Sequence, residues 1–153
     1  MELALEDEFV EQDHAQSILS AAGGYGNGSR IVARKMGQIK RACESTHKTC
    51  VYLAQSQVSE QKSPDMEPYH ILAPKLSKHA LPYFVDHVDC VAFLRLKAQD
   101  KRQSQQKIIV SSQERELVCH ASLTTMSKNR FGIESPLSCP KNHNPLEKYL
   151  NAN

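Results

Sequence analysis

Apolar residues in this chain come in short bursts at two different periods, and that alternation is what most limits its fold. Val32, Met36, Ile39 and Cys43 fall at i, i+4, i+7 and i+11, with Arg34, Lys35, Gln38, Lys40 and Arg41 between them. This is the stripe of an amphipathic helix laid on something flat. Cys50-Val51-Tyr52-Leu53-Ala54 is a run without a charge and reads as a short, fully buried strand. The pattern then repeats. Pro74 can open a second helix, with Leu76, Ala80, Phe84 and Val88 inward and a kink at Pro82, and Cys90–Leu94 is a second buried strand. Between them Gln55–Ile71 is polar, holds Pro64 and Pro68 and lacks a period, which predicts a long loop, functional or mobile. Lys97–Lys107 reads as a polar hairpin tip, with strands at Lys107–Ser112 and Glu116–Ala121 beside it. Helix, strand, helix, strand and a final meander predict an α/β fold: a mixed sheet with antiparallel C-terminal strands and flanking helices.

Length and charge narrow the classes. With 153 residues there is enough chain for one modest core. The net charge of +2 excludes a protein that coats nucleic acid through bulk charge and leaves a local basic patch open. Residues 1–20 carry six acids and no Lys or Arg, so the rest carries +8. An acidic leader helix over residues 1–22 is expected, ending at Ala21-Ala22-Gly23-Gly24, before a basic body over 23–137 and a tail over 138–153. No apolar run approaches the roughly 20 residues of a membrane span, and the acidic start is unlike a secretory signal. The expectation is a soluble, cytoplasmic protein without a membrane partner. The odd set Cys43, Cys50, Cys90, Cys119 and Cys139 suits reduced core thiols better than a disulfide framework.

Three chemical motifs can be weighed directly. Gly23 and Gly28 have the G-x-x-x-x-G spacing of a phosphate-binding loop, but the next two positions are Ser29 and Arg30, where a P-loop needs Lys and then Ser or Thr. The cluster reads as a glycine-rich connector. Cys43 with Cys50, His87 with Cys90, Cys119 with His120, and Cys139 with His143 give no two close pairs at zinc spacing. No G-x-S-x-G elbow occurs, and Cys119 and His120, adjacent on an apparent strand, point to opposite faces.

Several stretches, in order, resemble a known family. They are Gly24-Tyr25-Gly26-Asn27-Gly28, Val51-Tyr52-Leu53-Ala54-Gln55-Ser56, Glu67-Pro68-Tyr69 with Lys75-Leu76-Ser77-Lys78, Asp89–Leu94, and Ser127-Lys128-Asn129-Arg130-Phe131-Gly132. Over roughly residues 20–137 they are similar to the C-terminal half of phage-encoded RecA-like nucleotide-binding proteins, ATPases of single-strand annealing and recombination. Lys128-Asn129-Arg130-Phe131-Gly132 also resembles the motif that bacterial RadA proteins project toward a neighbouring subunit's nucleotide. The resemblance implies a partial RecA-like P-loop NTPase core. The family's P-loop Lys and Mg²⁺-binding Asp lie upstream of the matching region and have no counterpart here. ATP and Mg²⁺ are therefore expected only if an intact RecA-like subunit or a separate N-terminal half supplies their site, and a homo-oligomer is the other assembly expected.

The resemblance assigns roles to particular residues. Lys128 and Arg130, one apart on an extended segment, would clamp a phosphoryl group in trans, with Arg130 as the charge-stabilising finger. Their alternative is a solvated basic edge. Gln55, just past a buried strand, would report a γ-phosphate through its amide, or is an ordinary loop amide; many relatives have His there. Single-stranded DNA is the expected nucleic-acid partner. Tyr69, on the Gln55–Ile71 loop, would stack a base, and Arg95, Lys97, Lys101, Arg102 and Lys107 would meet phosphates. The alternative for that basic tip is an edge protected from strand pairing. A non-enzymatic DNA-binding or oligomerisation module and a decayed prophage fragment are the competing functional classes.

Overall fold

The computed structural model describes residues 1–103 and 106–150, with backbone alone at 66, 98–103 and 106–112. The chain is mixed α/β, with few helices and small antiparallel sheets. It divides into two compact units, Met1–Gln57 with Pro74–Val88, and Val58–Ala73 with Asp89–Asn153. Among the described residues no helix is long and apolar enough to cross a membrane.

The first unit is helical. Helix α1 spans Glu2–Gln12 and α2 spans Asn27–Glu44. The buried face of α2 is Val32, Ala33, Met36, Gly37 and Lys40, joined at its start by Gly28. The expected stripe was half of this: Ile39 and Cys43 are exposed, because the face rotates onto Ala33, Gly37 and Lys40 instead. A glycine is required at position 37, since a Cβ there would sit 2.7 Å from the Tyr83 ring. Lys40 can be buried because its ammonium donates to the Glu44 carboxylate and the His87 carbonyl. Val32, Ala33, Met36 and Ala80 form the core, and Leu5, Phe9, Ile18, Leu76, Tyr83 and Phe84 pack on it. Helix α3 is only Leu81–Val85, with Pro82 in its first turn. A helix opening at Pro74 and kinked at Pro82 is thus corrected: Pro82 sits where a missing N–H costs nothing.

Two further expectations fail here. Residues 50–54 are not a buried strand. Val51 and Leu53 are 77% and 94% exposed, while Tyr52 is half-buried with its ring 5.3 Å from that of Phe84. The segment Gln55–Ile71 is not a loop but a hairpin of β1, Ser56–Ser63, and β2, Met66–Pro74. In β1 the less exposed positions are Ser59, Gln61 and Ser63, an alternation of polar residues that hydrophobic periodicity does not register. Pro64 and Asp65 make the turn.

The second unit contains the remaining strands. Strand β3, Cys90–Val91, precedes β4, Phe93–Gln103, and β5, Gln106–Val118. Residues 90–94 are therefore divided between two sheets, and the separate strands expected at 107–112 and 116–121 are one. The hairpin expected around Lys97–Lys107 begins much earlier in the chain than expected, since β4 and β5 pair antiparallel from Phe93↔Val118 to Gln103↔Gln106. Strand β6, Lys128–Asn129, pairs with β3, and β7, Leu137–Ser138, with β5, both antiparallel. A parallel bridge joins Leu72 to Thr125. Among the described residues, Ile71, Ala73, Val118, Cys119 and Ile133 are this unit's buried apolar ones. Helix α4, Glu147–Leu150, comes last.

Candidate functional site

Two basic features lie in the second unit. The first is the Lys128–Gly132 segment, organised by Asn129. Its Oδ1 accepts from the Phe131 and Ile133 N–H groups at 3.1 and 2.9 Å. Its Nδ2 donates to the Cys119 and Ile133 carbonyls, both at 2.9 Å. One side chain thereby fixes the turn after β6. Phe131 is half-buried with its ring 6.0 Å from Tyr149, and Gly132 takes the left-handed conformation, φ 68°, that ends the extended run. Arg130 projects from this turn 67% exposed and donates to Asp89 at 3.0 Å. Lys128 is half-buried in β6. The turn thus presents Arg130 from a rigid base.

The second feature is the β4–β5 ribbon. Near its base the bases meet acids: Arg95 donates to Glu116 at 2.7 Å, and Lys97 lies 3.5 Å from Glu114. Farther out the register changes character. Asp100 faces Ile109, Lys101 faces Ile108, and Arg102 faces Lys107. The outermost charged rung is a like-charge pair by position. The side chains of Lys101, Arg102 and Lys107 lie outside the described residues.

The other candidate residues are dispersed. Gln55 does not follow a buried strand, because residues 50–54 form none; it is exposed and leads into β1, its backbone carbonyl accepting from the Lys75 N–H at 2.6 Å. Tyr69 is half-buried in β2 rather than on a loop. In the glycine cluster, Gly26 precedes α2 with φ 76°, while a Cβ on Gly28 would lie 2.6 Å from the Ile18 carbonyl oxygen. Gly28 thus serves close packing. Cys119 follows β5 fully buried, and His120 Nδ1 is buried without a hydrogen-bond partner. Among the described residues no three His, Cys, Asp or Glu side chains gather as a metal site would need.

No protein-family model, curated protein or solved structure matches the chain. Function must therefore be argued from the residues themselves. Sequence reasoning missed Glu114 and Glu116 as partners of the basic residues and Asn129 as the organiser of its turn. An Asn between two basic residues and before an aromatic–Gly pair was the signal available for the last, since Asn side chains bond nearby backbone groups.

Proposed function

We propose that this chain is a non-enzymatic module for binding single-stranded DNA, derived from the RecA-like proteins of phage recombination that its sequence resembles. The observation that carries the proposal is the charge gradient along the β4–β5 ribbon. Acids answer Arg95 and Lys97 at the base, while Arg102 and Lys107 share one rung near the far end. Like charges directly opposite destabilise a ladder, and a polyanion laid along that end relieves the repulsion and releases its own counterions. The antiparallel pairing of the sheets and the Ser29-Arg30 that follow Gly28, where a P-loop has Lys and then Ser or Thr, both favour a binding role over ATP hydrolysis at these residues.

Fluorescence anisotropy of a labelled oligonucleotide over a salt series tests this. Binding should weaken with a log–log slope near −0.7 per phosphate contact. Reversing Lys101 and Arg102 to Glu should flatten the slope by about two contacts' worth, and Tyr69→Ala should weaken binding with little change of slope if a base stacks there. No binding at low salt, or a slope indifferent to the double reversal, overturns the reading.

A second reading is favoured by the presentation of Arg130 on the turn fixed by Asn129. Here Lys128 and Arg130 act on ATP and Mg²⁺ held by an intact RecA-like subunit, and Arg130 exchanges Asp89 for the transferring phosphate. Mixing the chain with such an ATPase should raise phosphate release with wild type and not with Arg130→Ala. Equal stimulation by both removes the finger role.

A further inference from the structure

Two of the five cysteines meet in the second unit. Cys90 faces Asn129 across the β3–β6 ladder, so the two side chains share a face. From that face the Asn129 amide reaches the Cys119 carbonyl at 2.9 Å, which sets Cys119, just past the end of β5, against Cys90. The Phe93↔Val118 pair of the β4–β5 ladder also holds the chain just after Cys90 beside the chain just before Cys119. Cys119 is fully buried and Cys90 half-buried, so Cys90 is the more accessible residue of the pair.

We propose that Cys90 and Cys119 form a peroxide-responsive pair, with Cys90 the attacked sulfur and Cys119 the resolving one, closing a disulfide between the start of β3 and the end of β5. In the first step the Cys90 thiolate attacks hydrogen peroxide; the S–O bond forms, the O–O bond breaks and hydroxide leaves. In the second, Cys119 gives up its proton and attacks the sulfenic sulfur; the S–S bond forms and the S–O bond breaks. The departing hydroxide takes up the proton as water. Two thiols lose two electrons and one peroxide becomes two waters. Closing the disulfide brings the two sulfurs to an S–S distance of about 2.05 Å.

The electrostatics agree with this division of roles. The hydrogen bond from Cys119 holds the Cys90 thiol below its usual value, against the opposing effects of burial and the Asp89 carboxylate. The same bond, aided by burial, pushes the Cys119 thiol up. The accessible sulfur is therefore the better thiolate, as the attacked position requires. The Leu117 carbonyl, 4.0 Å from Cys119 Sγ, is at the outer limit for a sulfur donor and competes weakly for its proton.

Peptide mapping of the full chain decides the matter, because trypsin places each cysteine in its own peptide: 42–48, 49–62, 79–95, 116–128 and 131–141. Native protein is treated with one equivalent of hydrogen peroxide, blocked with iodoacetamide, digested without reductant and mass-analysed. The expected product joins 79–95 to 116–128, two hydrogens lighter than their sum, and disappears with dithiothreitol. In Cys119→Ser, Cys90 should accumulate a dimedone-reactive sulfenic acid, and in Cys90→Ser, Cys119 should stay reduced. A wild-type map in which these peptides remain unlinked while others are oxidised overturns the proposal, whether or not either variant folds. Equal oxidation of Cys119 in wild type and Cys90→Ser overturns the assignment of roles.

Discussion

The Glu116 carboxylate accepts from Arg95 Nε at 2.7 Å, directly across the β4–β5 ladder, and it removes Arg95 from the charge the ribbon offers outward. The Arg95 side chain is 43% exposed and that of Glu116 13%, so a double-mutant cycle to Ala should give a coupling near the upper end of the 0.2–1 kcal/mol usual for surface pairs. Glu116→Gln cancels one of the acids facing the ribbon's bases. If the ribbon binds DNA, this variant should bind more tightly at low salt and steepen the salt slope by about 0.7, one further contact. An unchanged slope would mean that phosphates approach elsewhere.

Asn129 makes four hydrogen bonds to backbone groups, and Asn129→Ala leaves all four without that partner. Two of them flank the buried Ile133, so the loss should cost about 2 kcal/mol by urea unfolding. Asn129→Asp keeps the acceptors for Phe131 and Ile133 and loses both donors, and should fall between wild type and Ala. Loss below about 0.5 kcal/mol in the Ala variant would show that water replaces these bonds.

Helix α2 is legible because an 18-residue amphipathic stripe is a long-range signal, and even there the face turned onto Gly37 and Lys40, which no hydrophobicity scale marks as core. Lys40 is buried only because Glu44 and the His87 carbonyl, 47 residues away, meet its ammonium. The β1–β2 hairpin was hidden by its polar composition, and 50–54 misled because an apolar run needs a neighbouring strand to become one. In the candidate site the basic residues are plain in the sequence. Their partners are not: Glu116 lies 21 residues from Arg95 and Asp89 lies 41 from Arg130, separations that only strand register reveals.

The contact of Gly37 with Tyr83 sets two ordinary effects against each other. Replacing a helical Gly by Ala gains about 1 kcal/mol of helix propensity, but a Cβ 2.7 Å from the Tyr83 ring forces repacking that costs about 1–3 kcal/mol. Gly37→Ala should therefore be net destabilising by about 1 kcal/mol. In a Tyr83→Leu background the clash is gone, and the same substitution should become stabilising. Thermal unfolding of the four proteins checks the reversal of sign; the same sign in both backgrounds would place the cost outside this contact.

Glu6 gives the first unit a definite pH dependence. Burial, and then the neighbouring Glu2 and Asp7 carboxylates, raise its pKa above the usual 4.5. A raised value means that the folded chain holds this proton more tightly than the unfolded chain. The Glu6 contribution is thus fully favourable below 4.5 and is lost as pH rises through the raised value, leaving a partly buried negative charge among like charges at neutral pH. Glu6→Gln, uncharged throughout, should match wild type at about pH 3.5 and be the more stable protein at about pH 7, the difference opening just above 4.5. Added salt should shrink the part due to Glu2 and Asp7 and leave the part due to burial. Glu2 is unsuitable for the same test, because its carboxylate accepts the Ser77 N–H at 3.1 Å and removing it breaks that bond as well. Urea unfolding of the two proteins across this pH range gives the result, and a stability difference that stays constant with pH would show that Glu6 titrates alike in both states.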